Sequence, residues 1–193
     1  MLKLTLDRNC LIDIEDQRPN ATYVKSLIEA NSTGKASVSV LGITASERSK
    51  AGAYSTSYSE FLEWIRSLEA ADLNLLKPIG VWDVTYWDWS VSASEEDSKL
   101  LAHIHDLMFP GKNSSWQKYA IAKGVASDNR SSRFYHKWIN AHCDAQAVWA
   151  CIRYEQDALV TSNTKDFQRN FQKLQGLGLK NAVTPKQAVA LIC

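Results

Sequence analysis

Four acidic residues in this sequence are spaced as an α/β protein could gather them: Asp7, Glu47, Asp144 and Asp166. Carboxylates grouped without histidine or cysteine offer only oxygen donors. That donor set suits a hard divalent cation, Mg²⁺ or Mn²⁺. Two carboxylates about 5 Å apart repel by roughly 3 kcal/mol at an effective dielectric of about 20, so four together require counter-charge. The chemistry that follows is hydrolysis by water that the metal activates, at a phosphate whose charge the metal neutralises. No cysteine or serine has a recognisable base partner, so no side-chain nucleophile is expected.

Each acid also has a structural explanation. Asp7 ends an alternating run, Leu2, Leu4, Leu6, and with Asn9 it fits an Asx turn. Glu47 alone is an ordinary surface glutamate. Asp144 is the most informative, because it lies beside Ala141, Ala145, Val148 and Ile152, an apolar stripe at helical spacing. A carboxylate against a buried face must be paired, protonated or bound to a cation. Asp166 follows the strand-like ALVT in a loop or first helical turn, where the helix dipole favours an acid anyway.

The elements that must position these residues are legible in outline. Strands are expected at Leu2–Leu6, Ala36–Leu41 and Ala158–Thr161, with a last one at Val183. Asp7 is followed by an expected loop, then a helix starting at Pro19 and Asn20. A short helix capped by Thr44 carries Glu47, and another runs from about Thr56 to Ala70. Trp82 to Val91 reads as an extended segment. Ser92 with Glu95 resembles a capping box for a helix that Pro110 and Gly111 stop. Lys112 to Trp138 is irregular, and a strong helix spans Asn140 to about Tyr154. Strands separated by helices imply an α/β fold, a parallel sheet with helices on both faces. In such sheets sites form beyond the carboxyl ends of the strands.

At 193 residues the chain fits one domain, and its formal net charge of +1 does not by itself advertise nucleic-acid binding. No apolar run reaches a membrane span, and MLKLTLDRNCLID does not read as a signal peptide, because Lys3, Asp7 and Arg8 break it. The cysteines Cys10, Cys143, Cys151 and Cys193 show no CxxC pairing. Cys143 and Cys151 fall on one helix about 12 Å apart, too far for a disulfide. A reduced, cytoplasmic setting is the simplest expectation.

Three segments together resemble the PIN-domain family. LDRNCLID is similar to its opening strand, which ends in Asp with Asn two residues on. SVSVLGITASE is similar to the strand and helix that bring in the second acid. NAHCDAQAVWACIRYEQDALVTSNTKDF is similar to the closing block, a helix with an inward Asp, a strand and a T-x-N-x-x-D-F turn. The likeness covers about half the chain, at both ends. It implies a PIN-like three-layer sandwich over residues 1–193, with an inserted helical segment at about 50–138. It also implies hydrolysis of RNA phosphodiesters with Mg²⁺ or Mn²⁺ held by Asp7, Glu47, Asp144 and Asp166, supported by Asn9, Thr161 and Asn163. Many relatives are VapC-like toxins, so an antitoxin partner and a homodimer are further implications. The stretch between Glu47 and Asp144 is longer than in the small toxins.

Within that stretch Lys112, Lys118, Lys123, Arg130, Arg133 and Lys137 are interleaved with Trp116, Tyr119, Phe134, Tyr135 and Trp138. Cations for phosphates with aromatics for bases is single-strand-binding chemistry. The other explanation is a buried aromatic cluster under a solvated charged face. His103 and His105, two apart on a helix, are not expected to share a ligand. Competing functions are a DNA or flap nuclease and a non-catalytic PIN-like protein- or RNA-binding module. A flavodoxin- or Rossmann-like nucleotide binder is disfavoured, since no glycine-rich loop follows the first strand.

Overall fold

The computed structural model describes residues 1–42, 58–81, 85 and 89–192, and of Thr164 and Asp166 it describes the backbone. The expected helix carrying Glu47, and most of the Trp82–Trp89 segment, lie outside the described residues.

Five strands form one parallel sheet: β1 (Leu2–Leu6), β2 (Ala36–Leu41), β3 (Asn74–Leu76), β4 (Ala158–Val160) and β5 (Ala182–Val183). Their order is β3-β2-β1-β4-β5. Leu6 pairs with Val40 on one side and Val160 on the other, so the central strands end level with one another. The chain steps outward from β1 to β3, then returns to the far side of β1 with β4. The reversal opens a crevice between β1 and β4 at their carboxyl ends, where open α/β sheets bind ligands.

Strand alternation sorts the two faces. Leu4, Leu6, Val38, Val40, Ala158 and Val160 share a core with α1 (Arg8–Glu15), α2 (Ala21–Ser32), α3 (Tyr58–Ser67) and α8 (Pro185–Ile192). Leu41 and Leu159 point the other way, into a core with α4 (Glu95–Met108), α5 (Trp116–Ala122), α6 (Arg133–Arg153) and α7 (Thr164–Gly176). The protein is therefore a three-layer α/β structure, as expected. No helix among the described residues is long and apolar enough to cross a membrane.

Four expectations about elements change. Asp7 leads directly into α1, not into a loop, and Cys10, Leu11 and Ile14 give that helix its buried side. The segment at about 50–138 is not wholly helical, because Asn74–Leu76 adds β3 to the edge of the sheet. The capping box is Ser94 with Asp97, two residues beyond the expected pair; Asp97 also accepts from Trp149 Nε1 at 3.2 Å, which fixes α4 on α6. Finally, α6 begins at Arg133, seven residues before the expected start, with the Ser132 hydroxyl accepting from Tyr135 N at 3.1 Å.

That early start explains the aromatic segment. Trp116, Tyr119, Tyr135 and Trp138 are all buried, with Trp116 edge-on to Tyr135 at 5.0 Å. They pack α5 against α6. Truncating one such ring to alanine is expected to destabilise by about 3–5 kcal/mol.

Candidate functional site at the β1–β4 crevice

Asp7 sits one residue past β1 and is buried. Its backbone N–H donates to Val160 O at 2.8 Å, extending the β1–β4 pairing to the mouth of the crevice. Although Asp7 is the N-cap of α1, its side chain makes no capping hydrogen bond. The carboxylate is instead drawn across the crevice. Its Oδ2 accepts from Thr161 Oγ1 at 2.8 Å and from Asn9 Nδ2 at 2.9 Å. Thr161 Oγ1 in turn accepts from Asn163 N at 3.0 Å. The first strand's acid is thus tied to the loop after β4 through Thr161, with Asn9 on the same carboxylate oxygen and Asn163 on the Thr161 hydroxyl.

Burial pushes the Asp7 carboxyl above its ordinary pKa; hydrogen bonds from Thr161, Asn9 and Arg8, and the Arg8 charge, oppose that rise. Neither side-chain donor uses Oδ1. A buried carboxyl at a strand end, raised by desolvation, is a group that a cation would return to its ionised form.

Asp144 approaches the same end of the sheet from α6. It lies nine residues before the helix ends at Arg153, about 13 Å along the axis. A five-residue strand spans roughly 16 Å, so Asp144 stands near the level of the strand ends. From Trp138 to Cys151 the helix is buried almost all round. The breaks are Asn140, exposed, and Asp144, half-buried. With the exposed Arg133 and Lys137 they form a strip at spacings of four, three and four, one face of a helix. The polar face of α6 therefore runs from two cations to the acid.

Asp166 is the third residue of α7, and Asn163 is that helix's N-cap. Glu47 and the Asp166 side chain lie outside the described residues. Among the described residues no three or more His, Cys, Asp or Glu side chains gather as a metal site. Asp7 and Asp144 are the two candidate ligands whose side chains are described. Their chemistry, oxygen donors with one carboxyl raised by burial, fits Mg²⁺ or Mn²⁺.

Three neighbours were not anticipated. Asp13 is buried in α1 and its Oδ2 accepts from Ser162 Oγ, while Ser162 Oγ accepts from Asn20 Nδ2 at 3.2 Å. Arg18 stands 3.6 Å from Asp13 Oδ1 and 2.8 Å from Asp16 Oδ2. A second acid–hydroxyl link thus crosses the crevice beside the first. Arg8 is buried with its guanidinium 5.3 Å from the centre of the Trp64 ring. Cys10 Sγ donates to Val160 O at 3.3 Å, and burial, with Asp7 and Asp13 nearby, pushes its pKa well up. A thiol so held is not a nucleophile. The local signal for Asp13 was its place between Ile12 and Ile14 on a helix; its partner is 149 residues away.

The basic segment divides. The four buried aromatics are core and have no faces for bases, which corrects the stacking expectation for Trp116, Tyr119, Tyr135 and Trp138. Phe134 is half-buried under Arg133, 4.9 Å from its ring centre. Lys112 lies over Phe109, Lys123 over Tyr119 and Arg130 over Tyr135, with Arg130 Nη1 donating to Tyr135 Oη at 2.9 Å. Lys118, Lys123, Arg133 and Lys137 are exposed, and Lys112 and Arg130 are half-buried. Trp89, in the Trp82–Val91 segment, stacks on Tyr58 at 4.4 Å, a packing contact.

A scan against protein-family models, a search of curated proteins and a search of solved structures each returned no match.

Proposed function

We propose that this protein is a PIN-like, divalent-metal-dependent ribonuclease whose centre is the crevice between β1 and β4. The observation that carries the reading is the Asp7 carboxylate, buried at the topological switch point and tied to Thr161 and Asn9 through one oxygen. Its side chain makes no capping bond to α1 and bonds across the crevice instead.

In this reading Asp7 and Asp144, with Glu47 and Asp166, hold Mg²⁺ or Mn²⁺. The ion supplies charge neutralisation at the scissile phosphate and lowers the pKa of the attacking water. The chain's own residues do the rest. Thr161 and Asn9 hold the Asp7 carboxylate in one rotamer, so that little entropy is lost when the ion binds. Asn163 N–H orients the Thr161 hydroxyl toward Asp7. Lys137 and Arg133, on the same face of α6 as Asp144, bind backbone phosphates and lead a single strand toward the acids. The aromatic core beneath keeps that face rigid.

The test is cleavage of a fluorophore-labelled single-stranded RNA, and of the matching DNA, by purified protein with Mg²⁺ or Mn²⁺. The reading expects RNA cleavage that EDTA abolishes, and its loss in Asp7→Asn and Asp144→Asn proteins with unchanged circular dichroism. Full activity in both variants would refute it, and cleavage of DNA alone would reassign the substrate.

A further inference from the structure

The loop after β4 is held to α1 at more points than the Asp7 carboxylate. Asp7, Cys10 and Asp13 recur every three residues along one side of that helix. They meet three consecutive residues at the end of β4. Val160 O accepts from Asp7 N at 2.8 Å and from Cys10 Sγ at 3.3 Å. Thr161 Oγ1 donates to Asp7 Oδ2 at 2.8 Å, and Ser162 Oγ donates to Asp13 Oδ2. The helix is thus fastened along the strand end from its N-cap to its last turn.

The Asp13–Ser162 pair has its own supports. Asp13 is buried, and its Oδ1 lies 3.6 Å from Arg18 Nη1, while Arg18 Nη2 is 2.8 Å from Asp16 Oδ2. The Arg18 backbone N–H donates to Asp13 O at 2.9 Å, which closes the turn after α1. Asn20 is the N-cap of α2 but makes no side-chain capping bond; its Nδ2 donates to Ser162 Oγ at 3.2 Å. Ser162 Oγ therefore gives its proton to Asp13 and accepts from Asn20. Thr161 Oγ1 gives its proton to Asp7 and accepts from Asn163 N. Two neighbouring hydroxyls thus serve two acids of one helix in the same way.

The second link bears on what the first one positions. Thr161 holds the Asp7 carboxylate, and Asn163 is the N-cap of α7, whose third residue is Asp166. A tie at Thr161 alone leaves residues 161–163 free to turn about that bond. A tie at the next residue removes the rotation.

We propose that Asp13 is a positioning residue for the metal centre. Through Ser162 it fixes residues 161–163, so that Thr161 keeps Asp7 in place for a divalent ion and the start of α7, which bears Asp166, stays beside it. The proposal rests on the nuclease reading. Asp13 itself contacts neither ion nor RNA, because its two carboxylate oxygens face Ser162 and Arg18. Removing a group that orients a metal ligand typically costs about 10–100-fold in metal affinity or activity.

The test is calorimetric titration of Mn²⁺ into metal-free wild type, Ser162→Ala, Ser162→Thr, Asp13→Ala and Asp13→Asn proteins, with urea unfolding of each. We expect the Kd for Mn²⁺ to rise about 10–100-fold in Ser162→Ala and in Asp13→Ala. Ser162→Thr keeps the hydroxyl and Asp13→Asn keeps an acceptor for it, so both should recover most of the affinity. Ser162 is half-buried, so Ser162→Ala carries the test if Asp13→Ala does not fold. A folded Ser162→Ala protein with lower stability but wild-type Mn²⁺ affinity would make the link merely structural and overturn the proposal, leaving the nuclease reading standing. Equal loss in Asp13→Asn and Asp13→Ala would overturn it by making Asp13 act through its charge. A wild-type protein that binds no Mn²⁺ would overturn both readings.

Discussion

Thr161→Val is the most discriminating perturbation of the crevice. Valine matches threonine in shape, and Thr161 is fully buried, so packing is retained while one hydroxyl is removed. That hydroxyl donates to Asp7 Oδ2 and accepts from Asn163 N. A hydrogen bond to a charged group contributes about 1.5–3 kcal/mol. The extra methyl offsets about 0.8 kcal/mol. The net loss with Asp7 ionised is therefore about 1–2 kcal/mol. The pH dependence carries the diagnosis. Asp7 has a folded pKa above its unfolded value of 3.8. It therefore favours folding most below that unfolded value, and the benefit is lost as pH rises through the folded pKa. The Thr161 hydroxyl moderates that loss by stabilising the ionised form, so its removal raises the folded pKa further. The stability gap between wild type and variant should be smallest below about pH 4, where Asp7 is protonated in both states, and widen as pH rises through its folded pKa. Urea unfolding across that range measures it. A gap that stays constant with pH would show that Thr161 does not act on an ionising Asp7.

Other outcomes follow from the same geometry. His142 is held neutral with a folded pKa of about 3, below its ordinary 6.5, so its contribution to stability is present above 6.5 and lost as pH falls toward 3; His142→Phe should flatten that part of the urea stability curve. Cys10 should resist iodoacetamide in the folded protein at neutral pH and react only on unfolding, as mass spectrometry would show. Arg133→Glu with Lys137→Glu should weaken single-stranded RNA binding in fluorescence anisotropy. The salt slope should fall by about 1.4, some 0.7 for each phosphate that the protein no longer neutralises. The fold should be unaffected, since both side chains are exposed.

The parts of the fold readable from sequence were those whose pattern is local. Leu2, Leu4 and Leu6 alternate because they share the face of β1 that packs with α1, α2, α3 and α8, and Asp7 follows where the strand ends. The residues misread are those whose partners are distant. The loop expected after Asp7 is α1, in which Arg8 and Asp13 are both buried, one over Trp64 and the other on Ser162. Asn74–Leu76 is too short to show a period and is a strand only because β2 offers an edge. In RFYHKW, the first turns of α6, cations lie among core aromatics because the helix has one wet strip on an otherwise buried surface. At the site, Asp7, Asn9 and Thr161 were named together from the sequence, and the structure joins them by hydrogen bonds on Asp7 Oδ2. The link between Asp13 and Ser162 had no sequence signal beyond one acid between two isoleucines.

The claim that Asp7 is a metal ligand is tested most directly by crystals soaked in Mn²⁺ and measured at the manganese absorption edge. The account predicts an anomalous peak within about 2.0–2.3 Å of an Asp7 carboxylate oxygen, with Asp144 facing the same ion and no peak in Asp7→Asn crystals. A map with no peak at Asp7 at saturating Mn²⁺, or one whose peak persists unchanged in the variant, would contradict it.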